Sequence, residues 1–181
     1  MKLLIRAAIV LAALLVIAWL FMPQMLSLGV PKHIASLGPA AANIYKNPDK
    51  VDIYRLHQDK GLGGVYEPVT VITDRILEGH LSPSRDWISR FRAWADSDPN
   101  GEMPMCEPDP GFVIRLTRGK DSIDYVLCLH CSQYTVQNPG EPLKSWGSFA
   151  PTGGVIVPLL SEVYPQDADL RELSDAYKKH E

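Results

Sequence analysis

Cysteine is scarce in this sequence, with three in 181 residues, all between Cys106 and Cys131. Positive charge is nowhere concentrated. The 18 Lys and Arg are scattered among 21 Asp and Glu for a net charge of -3. No basic stripe or polybasic run offers the electrostatic footprint of a nucleic-acid binder, so no nucleic-acid partner is expected. No G-x-S-x-G, H-E-x-x-H, P-loop or dinucleotide fingerprint occurs, and the five histidines are dispersed. No catalytic residue and no organic cofactor is therefore assigned. Internal repeats and low-complexity tracts are also missing.

What the chain does have is one long apolar run near its start. Lys2 and Arg6 precede Ala7 to Met22, sixteen residues without a charge. Counted over residues 3–22, with Arg6 reaching to the interface, the run has 20 residues and spans roughly the 30 Å of a bilayer core at 1.5 Å per residue. A cleaved signal peptide is the competing reading, since its apolar region also follows basic residues. The length of the run and the lack of a clean small-x-small site directly after it favour retention; Ser27-Leu28-Gly29 is the nearest candidate. No cysteine lies near the end of the run, which excludes a lipoprotein anchor. Lys2 and Arg6 lie before the run and only Lys32 soon after it, so the positive-inside bias places the rest of the chain outside the cytoplasm. The expected location is the inner membrane, single-pass, with the C-terminal domain in the periplasm, or secreted if the N-terminus is cleaved.

The expected organisation is residues 1–29 as membrane anchor or signal segment, 30–50 as linker and short helix, and 51–181 as the exported domain. About 150 residues outside the run are enough for one real core, and 15 Pro and 13 Gly suggest many loops. Val30 to Pro39 reads as linker and Ala40 to Lys46 as a brief helix opened by Pro39. Val51 to His57 and Val69 to Ile72, the latter ending near Leu77, read as strands. Ser82-Pro83 reads as a helix start, followed by Trp87, Ile88, Phe91, Trp94 and Ala95 on one apolar stripe. Phe112 to Thr117 alternates with period two, turns over Arg118 to Ser122, and returns as one strand over Ile123 to Val136. Asp124 is expected opposite Arg115 across that hairpin. Leu143 to Phe149 follows as a strand, Val155 to Val163 as a helix interrupted by Pro158, and Asp169 to Tyr177 as a terminal helix. The fold class is α+β, a mainly antiparallel sheet with helices on one face, preceded by a single N-terminal transmembrane or signal helix.

The cysteines carry the one chemical constellation. Cys128-Leu129-His130-Cys131 is a C-x-x-C, and Cys106 lies on a proline-rich loop. A thioredoxin-like redox pair needs a helix N-terminus to activate its thiol, whereas this motif sits inside an apparent strand. Three strand residues span roughly 10 Å, beyond the about 7 Å reach of a disulfide, unless a turn at Leu129-His130 intervenes. A zinc set of Cys106, Cys128, Cys131 and His130, or His80 in its place, is the second reading. The third is structural: in an oxidising compartment Cys106 bonds to Cys128 or Cys131, worth about 3 kcal/mol of chain entropy, and the third cysteine packs as a small apolar side chain.

Cys106-Glu107-Pro108, Gly111 to Arg115 and Ile123 to Cys131 resemble a family of small, exported or membrane-attached bacterial proteins of uncharacterised function. Its members carry a Cys near Pro and Gly, a strand, a Gly-containing turn and an Asp-led strand ending in Cys-aromatic-x-Cys. The resemblance covers roughly residues 50–165 and implies the grouping of the cysteines, not an activity. Leu129 stands where the family has an aromatic, and Asp109-Pro110 where a basic pair is common, so no anion-binding role is carried over. The leading expectation is a non-enzymatic, membrane-anchored module that interacts with an envelope protein. The alternative is a zinc-binding or thiol-redox protein built on Cys106, Cys128 and Cys131.

Overall fold

The alternation of Phe112, Ile114 and Leu116 with Val113, Arg115 and Thr117 generates the centre of the fold. In the computed structural model, which describes residues 29–56, 76–81, 83–97, 110–139 and 146–178, strand β3 (Phe112–Arg118) pairs antiparallel with β4 (Asp121–Cys128). The two are joined by Gly119 and Lys120 alone. Gly119 takes φ +60°, the left-handed conformation that a two-residue hairpin turn demands and glycine supplies without strain. On the other side of β3 lies β1 (Lys50–Leu56), followed outward by β2 (Ile76–Leu81); β5 (Gln133–Gln137) and the two-residue β6 (Gly147–Ser148) extend the opposite side. All neighbours are antiparallel in the order β2-β1-β3-β4-β5-β6.

Among the described residues, five α-helices share one face of this sheet: α1 (Lys32–Ala35), α2 (Pro39–Lys46), α3 (Arg85–Asp96), α4 (Gly153–Val163) and α5 (Ala168–Lys178). Each gives side chains to a single core with Val51 and Ile53 of β1, Phe112, Ile114 and Leu116 of β3, and Ile123, Tyr125 and Leu127 of β4. The heart of it is aromatic. Phe91 meets Tyr125 edge to face at 5.1 Å and stacks on Trp87 at 5.6 Å, while Trp94 contacts Tyr134 and Phe149. Each such side chain contributes roughly 1.5–3 kcal/mol by leaving water, more for the geometry of the ring pairs. Trp87 also donates its indole N–H to the Leu159 carbonyl at 2.6 Å, so α3 and α4 are joined by a buried bond as well as by packing.

The α+β class, the antiparallel sheet, the helix from Pro39 and the terminal helix follow the expectation. Other features differ. Residues 30–50, read as linker and short helix, are built into the core: Ile34 is fully buried and Val30 and Leu37 pack against the same cluster. Helix α3 starts at Arg85, because Ser84 rather than Ser82 caps it, its hydroxyl accepting the Trp87 N–H at 3.2 Å. The single return strand over Ile123 to Val136 breaks after Cys128, and Leu129 to Ser132 form a turn before β5. Pro158 lies inside α4, which continues through it. The strand expected at Val69 to Ile72, Cys106, His80's side chain and the apolar run of residues 3–22 lie outside what is described; among the described residues no helix is long and apolar enough to cross a membrane.

Candidate functional site

The second face of the sheet, opposite the helices, carries the polar residues. Register places Asp52 of β1 beside Arg115 of β3, Arg115 beside Asp124 of β4, and Asp124 beside Gln137 of β5. Arg115 donates from Nε and Nη2 to the two carboxylate oxygens of Asp124 at 2.7 Å each. The Asp124 side chain is 1% exposed and that of Arg115 21%. This fork-to-fork geometry repays part of the cost of taking both charges out of water, and those hydrogen bonds hold the Arg115 pKa above its usual range. The Tyr54 ring lies 5.6 Å from the guanidinium carbon, and burial, then the nearby Asp52, raise its phenol. Lys50 reaches Asp52 at 2.9 Å. One row further along, Val113 and Val126 make a small apolar cluster with Leu56, against which Tyr54 and Trp146 pack. On β5 the Thr135 hydroxyl and both amide atoms of Gln137 are buried with no hydrogen-bond partner among the described residues.

Cys128 ends β4 on this second face, fully buried, with its sulfur present as a thiol. Its register partner is Gln133, so the chain makes a four-residue hairpin loop between them. Within the loop Ser132 N–H donates to the Leu129 carbonyl at 3.1 Å, and Ser132 takes φ +48°, rare for a residue with a side chain. The carbonyl of Ser132 accepts from Phe149 N–H at 2.8 Å, and its hydroxyl lies 3.1 Å from Tyr177 of α5. Cys131, nearly buried in this loop, is disulfide-bonded. His130 between them is exposed. Of the four residues expected as zinc ligands, then, two lie at one hairpin loop with different sulfur chemistry, His130 faces solvent and Cys106 is outside the described residues. Among the described residues no group of three or more His, Cys, Asp or Glu converges on one point.

A separate surface feature lies on the outer side of the helix layer. Trp94 and Leu159 floor a groove of about 440 Å³ between α3 and α4, edged by Val155 and Pro158. Val155 is 49% exposed, the exposed large apolar side chain among the described residues. At one end Arg90 holds both carboxylate oxygens of Glu162 at 2.6 Å, which lowers the Glu162 pKa. The Arg115–Asp124 pair was readable in the sequence from strand alternation. The groove was not, because it is made by two helices distant in the chain whose apolar positions read equally as core. No family model, curated protein or solved structure matches the chain, and the family resemblance rests on the motif residues alone.

Proposed function

We propose that this chain is an exported, membrane-anchored interaction module, with no chemistry of its own at the sheet, that engages an envelope protein through the groove between α3 and α4. The observation that carries the reading is Val155, half exposed at the edge of an apolar groove floored by Trp94 and Leu159. Soluble domains commonly reserve contiguous exposed apolar surface for partners, and a buried aromatic floor with an aliphatic edge is the form such anchoring pockets take. Two further facts support export. Residues 3–22 are long and apolar enough to span a bilayer, and Cys131 is disulfide-bonded, a state that persists in oxidising compartments.

The test is a photo-crosslinking amino acid at position 155 in the full chain, expressed in cells. One discrete adduct to an envelope protein, lost when Ala93→Arg blocks the groove, is expected. A smear of unrelated adducts, or none, overturns the groove as the binding surface. The zinc reading requires thiolate ligands, and a half-cystine at Cys131 has none to give.

A further inference from the structure

We propose that His33, clasped between the hydroxyls of Tyr125 and Tyr134, is an acid-released latch that ties helix α1 to the sheet at neutral pH and lets it go when protonated. This goes beyond the interaction reading and does not depend on it.

Helix α1 has four residues, too few to hold a helical shape unaided. It is attached by the packing of Ile34, with Val30 and Leu37 beside it, and by a polar clasp. Nε2 of His33 lies 3.2 Å from the Tyr125 hydroxyl of β4, and Nδ1 lies 3.4 Å from the Tyr134 hydroxyl of β5. Both phenol rings meet the imidazole edge to face, with centroids 5.7 and 5.3 Å away.

The clasp selects one tautomer. Tyr125 is fully buried and packed among the rings of Tyr45, Phe91 and Trp94, and burial keeps its phenol protonated well above the ordinary range. Among the described residues, its hydroxyl hydrogen has Nε2 of His33 as its partner. Left unbonded in the core, that hydrogen would carry its full desolvation cost. Nε2 is therefore the acceptor, and Nδ1 carries the imidazole hydrogen and donates to Tyr134. His33 itself is only partly buried, so a proton from solution reaches it.

Protonation places a hydrogen on Nε2 as well, and both ring nitrogens become donors. The Tyr125 hydroxyl must then turn its own hydrogen away from its partner and into the aromatic core. From β4 and β5 the titratable groups facing His33 are Tyr125 and Tyr134. Behind Tyr125 stand Tyr45 of α2 and Asp96 of α3, bonded to each other at 2.7 Å, and Lys32 on α1 is exposed. Once α1 is released, the imidazole is hydrated and takes the proton without stranding a hydroxyl. Protons thus bind the released helix more tightly than the docked one. Docking is intact above the ordinary imidazole range near 6.5 and weakens as pH falls below it. Where residues 3–22 hold the membrane, letting go of residues 29–38 lengthens the tether by up to about 30 Å. That consequence rests on the anchor reading, whereas the latch does not.

The full chain would be taken through hydrogen–deuterium exchange at pH 7.5 and 5.0, with rates normalised to those of an unstructured chain. The amides from Ile34 to Gly38 are hydrogen-bonded within this segment and report on it. At pH 5.0 their normalised exchange is expected to be roughly tenfold faster, the effect of stranding one buried hydroxyl, with β3 and β4 unchanged. His33→Gln is expected to abolish that acceleration. Equal normalised exchange at the two pH values in the wild type, or acceleration kept in His33→Gln, overturns the proposal. Tyr125→Phe keeps the ring, removes the hydroxyl and is expected to shrink the acceleration; full acceleration in a folded Tyr125→Phe also overturns it. If Tyr125→Phe fails to fold, the wild type and His33→Gln decide.

Discussion

Gln137 sits in an unusual position for an amide. Its side chain is buried at the end of the polar row, with neither oxygen nor nitrogen bonded among the described residues, and each lost partner costs roughly 1–3 kcal/mol. Gln137→Met, similar in shape and without hydrogen-bonding groups, is therefore expected to raise stability by about 1 kcal/mol in urea denaturation. A loss instead would mean that a water or ligand completes the amide in solution. Arg115→Met is expected to act in the opposite sense, because it strands the buried Asp124 carboxylate. Removing one partner of a buried pair costs roughly 3–5 kcal/mol, and about 2–4 is expected here since Arg115 is one-fifth exposed. Asp124→Leu combined with Arg115→Met should recover most of that loss. The phenols of Tyr45 and Tyr125 are held above their ordinary value near 10, chiefly by burial. A raised folded pKa contributes stability that is intact below the unfolded value and lost as pH rises past it, so the melting temperature should fall above about pH 10. Tyr45→Phe, which loses the bond to Asp96 at 2.7 Å, should make that alkaline decline shallower. At this scale the sequence was legible where alternation applied, as in Arg115 facing Asp124. It was silent on Gln137, whose burial depends on what the neighbouring strands place around it.

At the scale of elements, helix and strand types were readable and their ends were not. The Trp87, Phe91, Trp94 stripe defined α3, but Ser82 and Ser84 are equally good capping residues, and local pattern cannot choose between them. Ser84→Ala should cost about 1 kcal/mol by leaving the Trp87 N–H without its cap, measured as a shifted urea midpoint; no effect would show that another residue caps the helix. The return strand was over-extended because Leu129 to Ser132 contains neither glycine nor proline to announce a turn. The turn is instead made by a serine forced to positive φ and secured by Phe149 and Tyr177, contacts supplied from far along the chain. The run from Val30 to Leu37 read as linker because its apolar residues are few, yet Ile34, with Val30 and Leu37 packed beside it, binds it to the core. Gly153 shows the same dependence on distant packing: a Cβ there would overlap the Tyr177 ring.

For the molecule as a whole, an enzyme fused at the C-terminus that is active only outside the cytoplasm should be active in this chain, and Arg insertions within residues 7–22 should abolish that activity. Full activity with the insertions would remove the anchor from the proposal. The α+β class was legible because helix and strand periodicities separate cleanly along the chain, whereas the placement of the groove and the opposite polar face required the strand order. Under the proposed export, that order has a consequence for folding. Strands β3 and β4 pair with their immediate successors, across a two-residue and a four-residue connection, so this part of the sheet closes through short loops at little entropic cost. Strand β1 must wait for β3, some sixty residues later. A chain threaded amino-terminus first through a translocation pore would thus release β1, its neighbour β2 and the aromatic helix α3 before β3, and would need them kept from aggregating until the hairpins arrive.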